Sequence, residues 1–297
     1  MAGPETPPRR FDRALLRRRR ARALNRPRFP DFLYRAAARE IAERLDLTLR
    51  NFELGVALGA AAAPLKRIMA ESGKFGRVIS ADRVMGAAGV VEVVMDEEAL
   101  PFAPASLDAV ISGPGLEFVN DLPGALVQIR RALKPDGLFM AVLFGGDTLS
   151  ELRQAWFAAE TEIEGGVSPR VAPFGDVREL GGLLQRAGFA LPVADVDRLT
   201  ARYPSALAVM TELKAMGLAN ALAARRRRLV TRPLLARAAG VYEESFSDPD
   251  GRVRATFDLV TLTAWAPAET QPKPLKPGSA KTRLAEALGT TEHKLKR

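Results

Sequence analysis

The stretch "VALGAAAAPLKRIM", residues 56–69, shows how this chain is built. An apolar run typical of a buried strand ends at Gly59, four alanines follow, and a helical pattern begins at Pro64. Short apolar runs bounded by turn residues indicate strands, whereas apolar residues at every third or fourth position indicate helices. The stretch therefore predicts a strand, a tight turn and a helix, which is the repeating unit of a parallel α/β sheet.

Strands and helices alternate on both sides of this stretch. A helix over 30–47 precedes it, and further strands are predicted in "GRVISAD", "VVEVVM", "SLDAVISG" and "LFMAVLFGG". Helices are predicted at 64–72, 121–134, 148–164 (opened by a threonine cap) and 176–189. Beyond them we expect a strand at 191–203, two helices at 204–228 and 232–246, and a last strand at 252–267 that enters antiparallel. This order predicts an α/β fold of seven mostly parallel strands with a helical insertion at about 204–246.

Charge is concentrated at the two ends of the chain. Of the net +9, residues 1–30 carry ten basic and two acidic side chains, and residues 269–297 carry seven and three, which leaves −3 for the remainder. We therefore expect a basic N-terminal arm at 1–29, one domain at 30–266 and a disordered basic tail at 267–297. The arm is interpreted as a solvated helix, or as a contact for an acidic partner or an anionic membrane surface, although "FDRALLRRRR" (11–20) also reads as the start of the domain. The run Arg225–Arg228 is expected at the solvated end of the 204–228 helix.

Composition excludes several classes of protein. The chain has no cysteine, and its single histidine is His293. Disulfides, thiol nucleophiles, Ser-His-Asp triads and histidine-built zinc sites are therefore excluded, and no metal is expected. Aromatic residues make up 6% of the chain and are not interleaved with the basic runs, so nucleic-acid binding is not expected. No apolar run is long enough for a transmembrane helix, and we expect a cytoplasmic bacterial protein.

Four stretches carry a family resemblance: "FDRALLRRRRARAL" (11–24), "VNDLPGALVQIRRALKPDGLFMAVLFGGDTLSELR" (119–153), "EGGVSPRVAPF" (164–174) and "LLQRAGF" (183–189). They resemble the complex I assembly factor 5 family, which is found in mitochondria and α-proteobacteria. The resemblance implies the class I S-adenosylmethionine-dependent methyltransferase fold. It also implies a protein substrate or partner, such as a complex I subunit, because the mitochondrial member is known as an arginine hydroxylase. Malonyl-carrier-protein methyltransferases share the fold more distantly.

The resemblance assigns the opening stretch to the cofactor turn. The family has an acid and a G-x-G-x-G turn there, whereas this chain keeps only Gly59 and has Ala57, Ala61 and Ala63 at the acid and the other two glycines. Glycines in such a turn allow close approach of the backbone to the cofactor. The alternative interpretation is that four alanines simply begin a helix well. We predict that S-adenosylmethionine binds weakly, with a dissociation constant above ~100 μM.

Three acids match the family's other cofactor contacts. The resemblance assigns Asp82 to the ribose hydroxyls and Asp96 and Glu97 to the adenine amino group, although all three could equally be solvated loop acids. A carboxylate can accept both ribose hydroxyl protons. At the end of the fourth strand, relatives often carry a His-Trp pair where this chain has Glu117 and Phe118.

Two carboxylates are catalytic candidates. Glu117 is a candidate base, with an unpaired loop glutamate as the alternative, and Asp147 in "GGDTL" is a candidate partner for a substrate arginine. The alternative for Asp147 is that it caps the next helix together with Thr148. Three functions stay open: a methyltransferase-type enzyme or arginine hydroxylase acting on a protein, a non-catalytic assembly scaffold, and a small-molecule or carrier-protein methyltransferase.

Overall fold

The fold is described from a computed structural model that covers residues 9–59, 62–85, 91–272, 279, 284–287 and 289–291. Its helices are α1 Arg13–Leu24, α2 Phe32–Leu47, α3 Ala62–Glu71, α4 Leu122–Ala132, α5 Ser150–Glu164, α6 Val177–Arg186, α7 Ala206–Ala215, α8 Arg232–Phe246 and α9 Leu284–Ala287. Its strands are β1 Phe52–Leu58, β2 Phe75–Asp82, β3 Val93–Val94, β4 Leu107–Ser112, β5 Leu133–Phe144, β6 Ala190–Tyr203 and β7 Val253–Trp265. Among these residues, we find no helix whose length and hydrophobicity would let it cross a lipid bilayer.

The strands form one seven-stranded sheet in the order β3-β2-β1-β4-β5-β7-β6. β1 pairs with β2 and β4 in parallel, β4 pairs with β5 in parallel, and β7 runs antiparallel to both of its neighbours. The predicted α/β sheet with an antiparallel last strand is therefore confirmed. Because β1 and β4 lie side by side in the centre, their carboxyl ends meet at one edge, where α/β proteins bind ligands.

Each face of the sheet is covered by its own set of helices. Alternate residues of β5 face opposite cores: Leu138, Met140, Val142 and Phe144 lie on one side, and Phe139, Ala141 and Leu143 on the other. Helices α2, α3, α5, α7 and α8 bury residues against the first side, and α4 and α6 against the second. This period of two is what a strand buried on both faces requires.

Several predicted elements differ from the observed ones. The third strand is only the two residues of β3, and Gly86–Val90 lie outside the described residues. The helix predicted over 204–228 is wrong, because α7 ends at Ala215 in a Schellman motif. There Gly217 adopts φ 79°, its N–H donates to Lys214 O at 3.2 Å, and the Leu218 N–H donates to Leu213 O at 2.9 Å. The run Arg225–Arg228 therefore lies in a loop and not at a helix end.

The predicted threonine cap of α5 is also wrong. The cap position belongs to Leu149, which has φ 56° and makes no side-chain cap bond. The Thr148 hydroxyl instead donates to Asp258 O at 3.2 Å and accepts the Asp258 N–H at 3.1 Å. The turn that follows β5 is thereby attached to β7.

The chain divides into two units, Met1–Pro267 and Ala268–Arg297. Segment 9–24, assigned to a separate arm by its composition, belongs to the first unit. The predicted tail forms the second unit, and most of it lies outside the described residues, apart from α9.

Candidate functional site

The carboxyl edge of the sheet brings together the residues that the sequence assigned to a cofactor. Gly59 follows β1 with φ 86°, and its N–H donates to Ala81 O at 2.8 Å. Asp82 is the last residue of β2, and its carbonyl accepts the Met95 N–H at 2.9 Å, which places Asp96 and Glu97 beside it. Gly59, Asp82, Asp96 and Glu97 therefore lie at one edge, as parallel strands require.

The structure describes the side chain of only one of the three alanines at the cofactor turn. Ala57 is fully buried and belongs to the same apolar core as residues of α2 and α3. Ala61 lies outside the described residues, and of Ala63 only the backbone is described, in the first turn of α3. Only the burial of Ala57 therefore bears on the predicted loss of cofactor contacts.

Arginine side chains already bind all three acids. From α1, Arg20 Nη2 lies 2.6 Å from Asp82 Oδ2, and Arg13 Nη2 lies 2.8 Å from Glu97 Oε2. Arg13 also pairs with Asp96. Arg83, which follows β2, pairs with Glu97 and lies 3.1 Å from Asp96. The sequence analysis missed this cluster, although Arg13, Arg17 and Arg20 are spaced four and three residues apart, as on one helix face.

Two of the three acids, Asp82 and Glu97, are shielded from solvent. The side chains of Asp82 and Glu97 are 3% and 5% exposed, and that of Arg20 is 19% exposed. Burial raises the pKa of Glu97, and Arg13 opposes that rise. Burial alone would lower the pKa of Arg20, but Asp82 reverses the direction and the pKa is raised. The acids and arginines thus neutralise each other, as a buried ion pair must.

The space left between α1 and these acids is smaller than most ligand sites. The pocket between α1 and the acids measures about 40 Å³ and is lined by Arg13, Arg17, Arg20, Arg83 and Glu97, among others. Small-molecule sites usually enclose roughly 300 Å³ or more. The guanidinium groups also take the carboxylate oxygens that ribose and adenine would need.

The N-terminal segment is fixed to the domain by contacts of Phe11 and Asp12, the two residues that precede α1. The Phe11 N–H donates to Asn120 Oδ1 at 2.7 Å, and the Phe11 ring packs against Phe118 with centroids 5.6 Å apart. Asp12 caps α1 by accepting the Leu15 N–H at 2.9 Å, and it pairs with Arg225 at 3.0 Å. The interpretation of this segment and of Arg225 as solvated is therefore wrong for Phe11, Asp12 and Arg225.

Glu117 lies at the end of β4, in the 3₁₀ turn Leu116–Phe118. Its Oε2 accepts the Gly115 N–H at 2.7 Å, whereas its Oε1 is buried and has no hydrogen-bond partner among the described residues. Burial raises the pKa of Glu117 to about 7, and nearby backbone groups of Glu117, Gly115 and Phe144, together with the charge of Arg20, oppose the rise. The carboxyl group is thus poised to change its charge near neutral pH.

Asp147 lies on the other side of this edge and already has an arginine partner. Arg198 Nη2 of β6 lies 2.5 Å from Asp147 Oδ2, and Arg198 Nε lies 2.8 Å from the buried Asp258. The Asp147 and Arg198 side chains are 64% and 57% exposed, so this pair contributes little to stability. One oxygen of Asp147 is therefore occupied by a guanidinium group of the chain itself.

The two loops of the family resemblance meet beside Glu117. Gly145 lies against β7, where an added Cβ would come within 2.7 Å of Val260 Cγ2. In the second loop Arg170 pairs with the buried Glu160, its Nε lying 2.7 Å from Glu160 Oε1, and its guanidinium lies 4.6 Å from the centre of the Trp156 ring. Phe144 and Phe174 join the loops with ring centroids 5.9 Å apart.

In the described residues, no group of three or more histidine, aspartate or glutamate side chains is placed to hold a metal ion.

Comparison with known proteins identifies a matching family and several related proteins. The model of a methyltransferase-domain family matches residues 53–141. The mitochondrial arginine-hydroxylase NDUFAF5 of Homo sapiens is 38% identical over 286 residues, which cover 93% of this chain and 82% of that protein. The malonyl-[acyl-carrier protein] O-methyltransferase of Methylovorus sp. (strain MP688) is 35% identical over 278 residues, covering 86% of this chain and 90% of that protein.

Solved structures with low sequence identity share the fold. The YcgJ protein of Bacillus subtilis superposes with a TM-score of 0.52 at 14% identity, covering 79% of this chain and 99% of that one. The BH2331 protein of Bacillus halodurans C-125 gives a TM-score of 0.50 at 15% identity, with 77% and 98% covered. The sheet order and the family match together confirm the predicted class I methyltransferase fold.

Proposed function

The chain belongs to the family of the mitochondrial arginine-hydroxylase NDUFAF5, and from this we propose that it acts on an arginine side chain of a partner protein, received at Glu117. The observation that carries the proposal is the buried Oε1 of Glu117, a carboxylate oxygen that lacks a hydrogen-bond partner among the described residues. An unsatisfied buried acceptor is costly, and a guanidinium group supplies two parallel donors to a carboxylate. Asp147 is less suited, because Arg198 already holds one of its oxygens.

The surroundings of Glu117 suit an extended segment of protein. Glu117 lines a groove of about 670 Å³ together with Asn120, Phe144 and Phe174. The exposed Arg9, Arg10 and Arg186 also line this groove. Because these arginines would repel a purely basic peptide, the favoured segment has one arginine flanked by acidic residues.

The family resemblance implies S-adenosylmethionine, and we propose that any use of it is secondary to a movement of α1. Gly59, Asp82, Asp96 and Glu97 are the residues that would hold it. Because three of them are paired with arginines, no chemical step through this cofactor follows from the arrangement described. We expect titration of the full chain with S-adenosylmethionine to give a dissociation constant above ~100 μM, and a low-micromolar value would contradict this expectation.

The experiment measures binding of a fluorescent peptide with one arginine between acidic residues. The guanidinium group binds the ionised form of Glu117, whose pKa is raised to about 7, so affinity should rise about tenfold between pH 6 and pH 8. Glu117→Gln should abolish this pH dependence and weaken binding at pH 8. Glu53→Gln is the matched control, because Glu53 is exposed and lies near the opposite end of β1.

Two results would contradict the proposal. One is equal affinity of the arginine peptide and its lysine analogue, and the other is unchanged binding in Glu117→Gln. A carrier protein that binds in place of the peptide would favour the carrier-protein methyltransferase alternative. Mass spectrometry of the incubated peptide then distinguishes added oxygen, an added methyl group and no modification, and the last outcome would favour a scaffold.

The partner we propose is a complex I subunit, in a bacterial cytoplasm. If so, deletion of the gene should reduce NADH oxidation in isolated membranes, and the wild-type chain should restore it. Normal oxidation in the deletion strain would remove complex I from the proposal without affecting the peptide measurement.

A further inference from the structure

A second pocket, lined by aromatic and aliphatic side chains, adjoins the groove that contains Glu117. It measures about 230 Å³, and its walls include the six rings of Phe11, Phe118, Phe144, Trp156, Phe174 and Phe257. Phe118 and Phe174 pack edge to face with centroids 6.0 Å apart, and Phe144 lies 6.4 Å from Phe257. Since Phe144 and Phe174 also line the groove, these two rings form a wall common to both spaces.

The polar side chains that line this pocket already have hydrogen-bond or ion-pair partners within the protein. Thr148 exchanges two hydrogen bonds with the backbone of Asp258. Asn220 Nδ2 donates to Pro169 O at 2.7 Å, and its Oδ1 accepts the Leu222 N–H at 3.0 Å. The charge of Arg170 is neutralised by Glu160, which is 1% exposed. A charged ligand would therefore be desolvated in the pocket without a partner, which is strongly unfavourable.

The size and the walls of the pocket define the class of ligand. An apolar cavity of ~150 Å³ accommodates benzene, so this pocket has room for about a bicyclic ring. Aromatic walls favour an aromatic guest through edge-to-face contacts, and Met210, which also lines the pocket, adds a sulfur–ring contact.

We propose that this pocket binds an uncharged aromatic group about the size of indole, carried either by a small molecule or by an aromatic side chain of a partner protein. Both family loops build it, through Thr148 and Leu149 from one and Arg170, Val171, Ala172 and Phe174 from the other. The proposal does not depend on Glu117 or on an arginine substrate.

The test is saturation-transfer NMR and calorimetry of the full chain with indole. Indole should bind, indole-3-acetate should bind at least tenfold more weakly because its carboxylate finds no partner, and methylcyclohexane should bind more weakly than toluene. Ala172→Phe fills the pocket and should reduce indole affinity at least tenfold. Ala224→Phe is the matched control, because it adds the same ring at an exposed position outside the pocket and should leave affinity unchanged.

A second variant covers the case in which Ala172→Phe fails to fold. Ala219→Leu adds a smaller group to the same pocket, and it should remove the rise in melting temperature that indole gives the wild-type chain. Tryptophan and leucine versions of an otherwise identical peptide distinguish a side-chain source from a free molecule. Equal indole affinity in wild type and in both filled variants would overturn the proposal, as would a preference for indole-3-acetate or for methylcyclohexane.

Discussion

At the scale of single residues, the decisive feature is which carboxylates are paired and which are not. Asp82 and Glu97 are buried against arginines, whereas Glu117 keeps a buried oxygen without a partner among the described residues. A paired acid stabilises the fold only while both partners are present. A buried unpaired acid destabilises the fold whenever it is ionised. The two kinds of site therefore predict opposite effects of substitution.

Glu117→Gln should change how stability depends on pH. The pKa of Glu117 in the folded chain is raised to about 7 from an ordinary value of 4.5. The folded state thus holds a proton that the unfolded state releases, and stability is lost as pH rises from about 4.5 through about 7. Relative to wild type, the variant should gain ~1–3 kcal/mol between pH 5 and pH 8 in urea unfolding. A constant difference between the two proteins over that range would contradict the assignment.

Arg20→Ala should destabilise the domain, because it leaves the buried carboxylate of Asp82 unpaired. Removing one partner of a buried pair costs ~3 kcal/mol or more, or roughly 6–12 °C in melting temperature for a domain of this size. Arg17→Ala is the control, since Arg17 lies on the same helix, is exposed and makes no ion pair among the described residues. Equal melting temperatures for the two variants would show that the Arg20–Asp82 pair adds nothing.

At the scale of elements, α1 behaves as part of the domain although its composition is that of a solvated arm. Ten basic residues in the first thirty suggested solvent exposure, yet Phe11 is 2% exposed and Ala23 is buried. The early end of α7 also helps α1 to pack against the domain. A Cβ on Gly217 would lie 3.2 Å from Ala23 Cβ and 3.3 Å from Arg19 O, so the Schellman glycine also lets α1 approach.

Removing the paired arginines of α1 should free Asp82 and Glu97 for contacts with a nucleoside cofactor. In Arg13→Ala/Arg20→Ala, Asp82 loses its arginine partner and Glu97 keeps only Arg83. We expect the affinity for S-adenosylmethionine to rise at least tenfold in the fraction that remains folded, as measured by calorimetry at a temperature below its melting point. Arg18→Ala/Arg22→Ala removes two exposed charges from the same helix, at positions outside the pocket lining, and should give no gain. The same gain in both variants would indicate a general charge effect and not release of the acids.

At the scale of the whole molecule, the net charge does not describe a basic protein. The charge lies at the two ends, and the part of the N-terminal end that the structure describes turns three of its basic side chains, Arg13, Arg20 and Arg19, toward acceptors of the domain. The second unit, Ala268–Arg297, contains seven basic residues and little apolar sequence. Its composition gives it little apolar surface to bury.

Truncation should show which terminal residues contribute to the stability of the domain. Removing residues 1–8 and 268–297 should change the melting temperature by less than about 5 °C, because these segments have little apolar surface to bury. Removing residues 1–24 should lower it further, since Phe11 and the arginine pairs are lost. Differential scanning calorimetry of the two truncated chains provides the comparison. A large drop already in the shorter truncation would show that one of those segments docks on the domain.

The sequence by itself determined the alternation of strands and helices and the antiparallel last strand, whereas Gly59, Asp82, Asp96 and Glu97 were singled out only through the family resemblance. The first two features follow from local periodicity and from the geometry of parallel strands, which a single sequence expresses directly. The end of α7 was also encoded, in the glycine of Met216-Gly217-Leu218, but the run of helix-forming residues around it obscured the signal. Only the tertiary structure decided which arginine forms an ion pair with which acid. Arg20 and Asp82 are 62 positions apart, and Arg13 and Glu97 are 84 apart. No periodicity reports such pairs, because each depends on how α1 packs across the ends of distant strands. The raised pKa of Glu117 also depends on the folded structure, since it comes from burial.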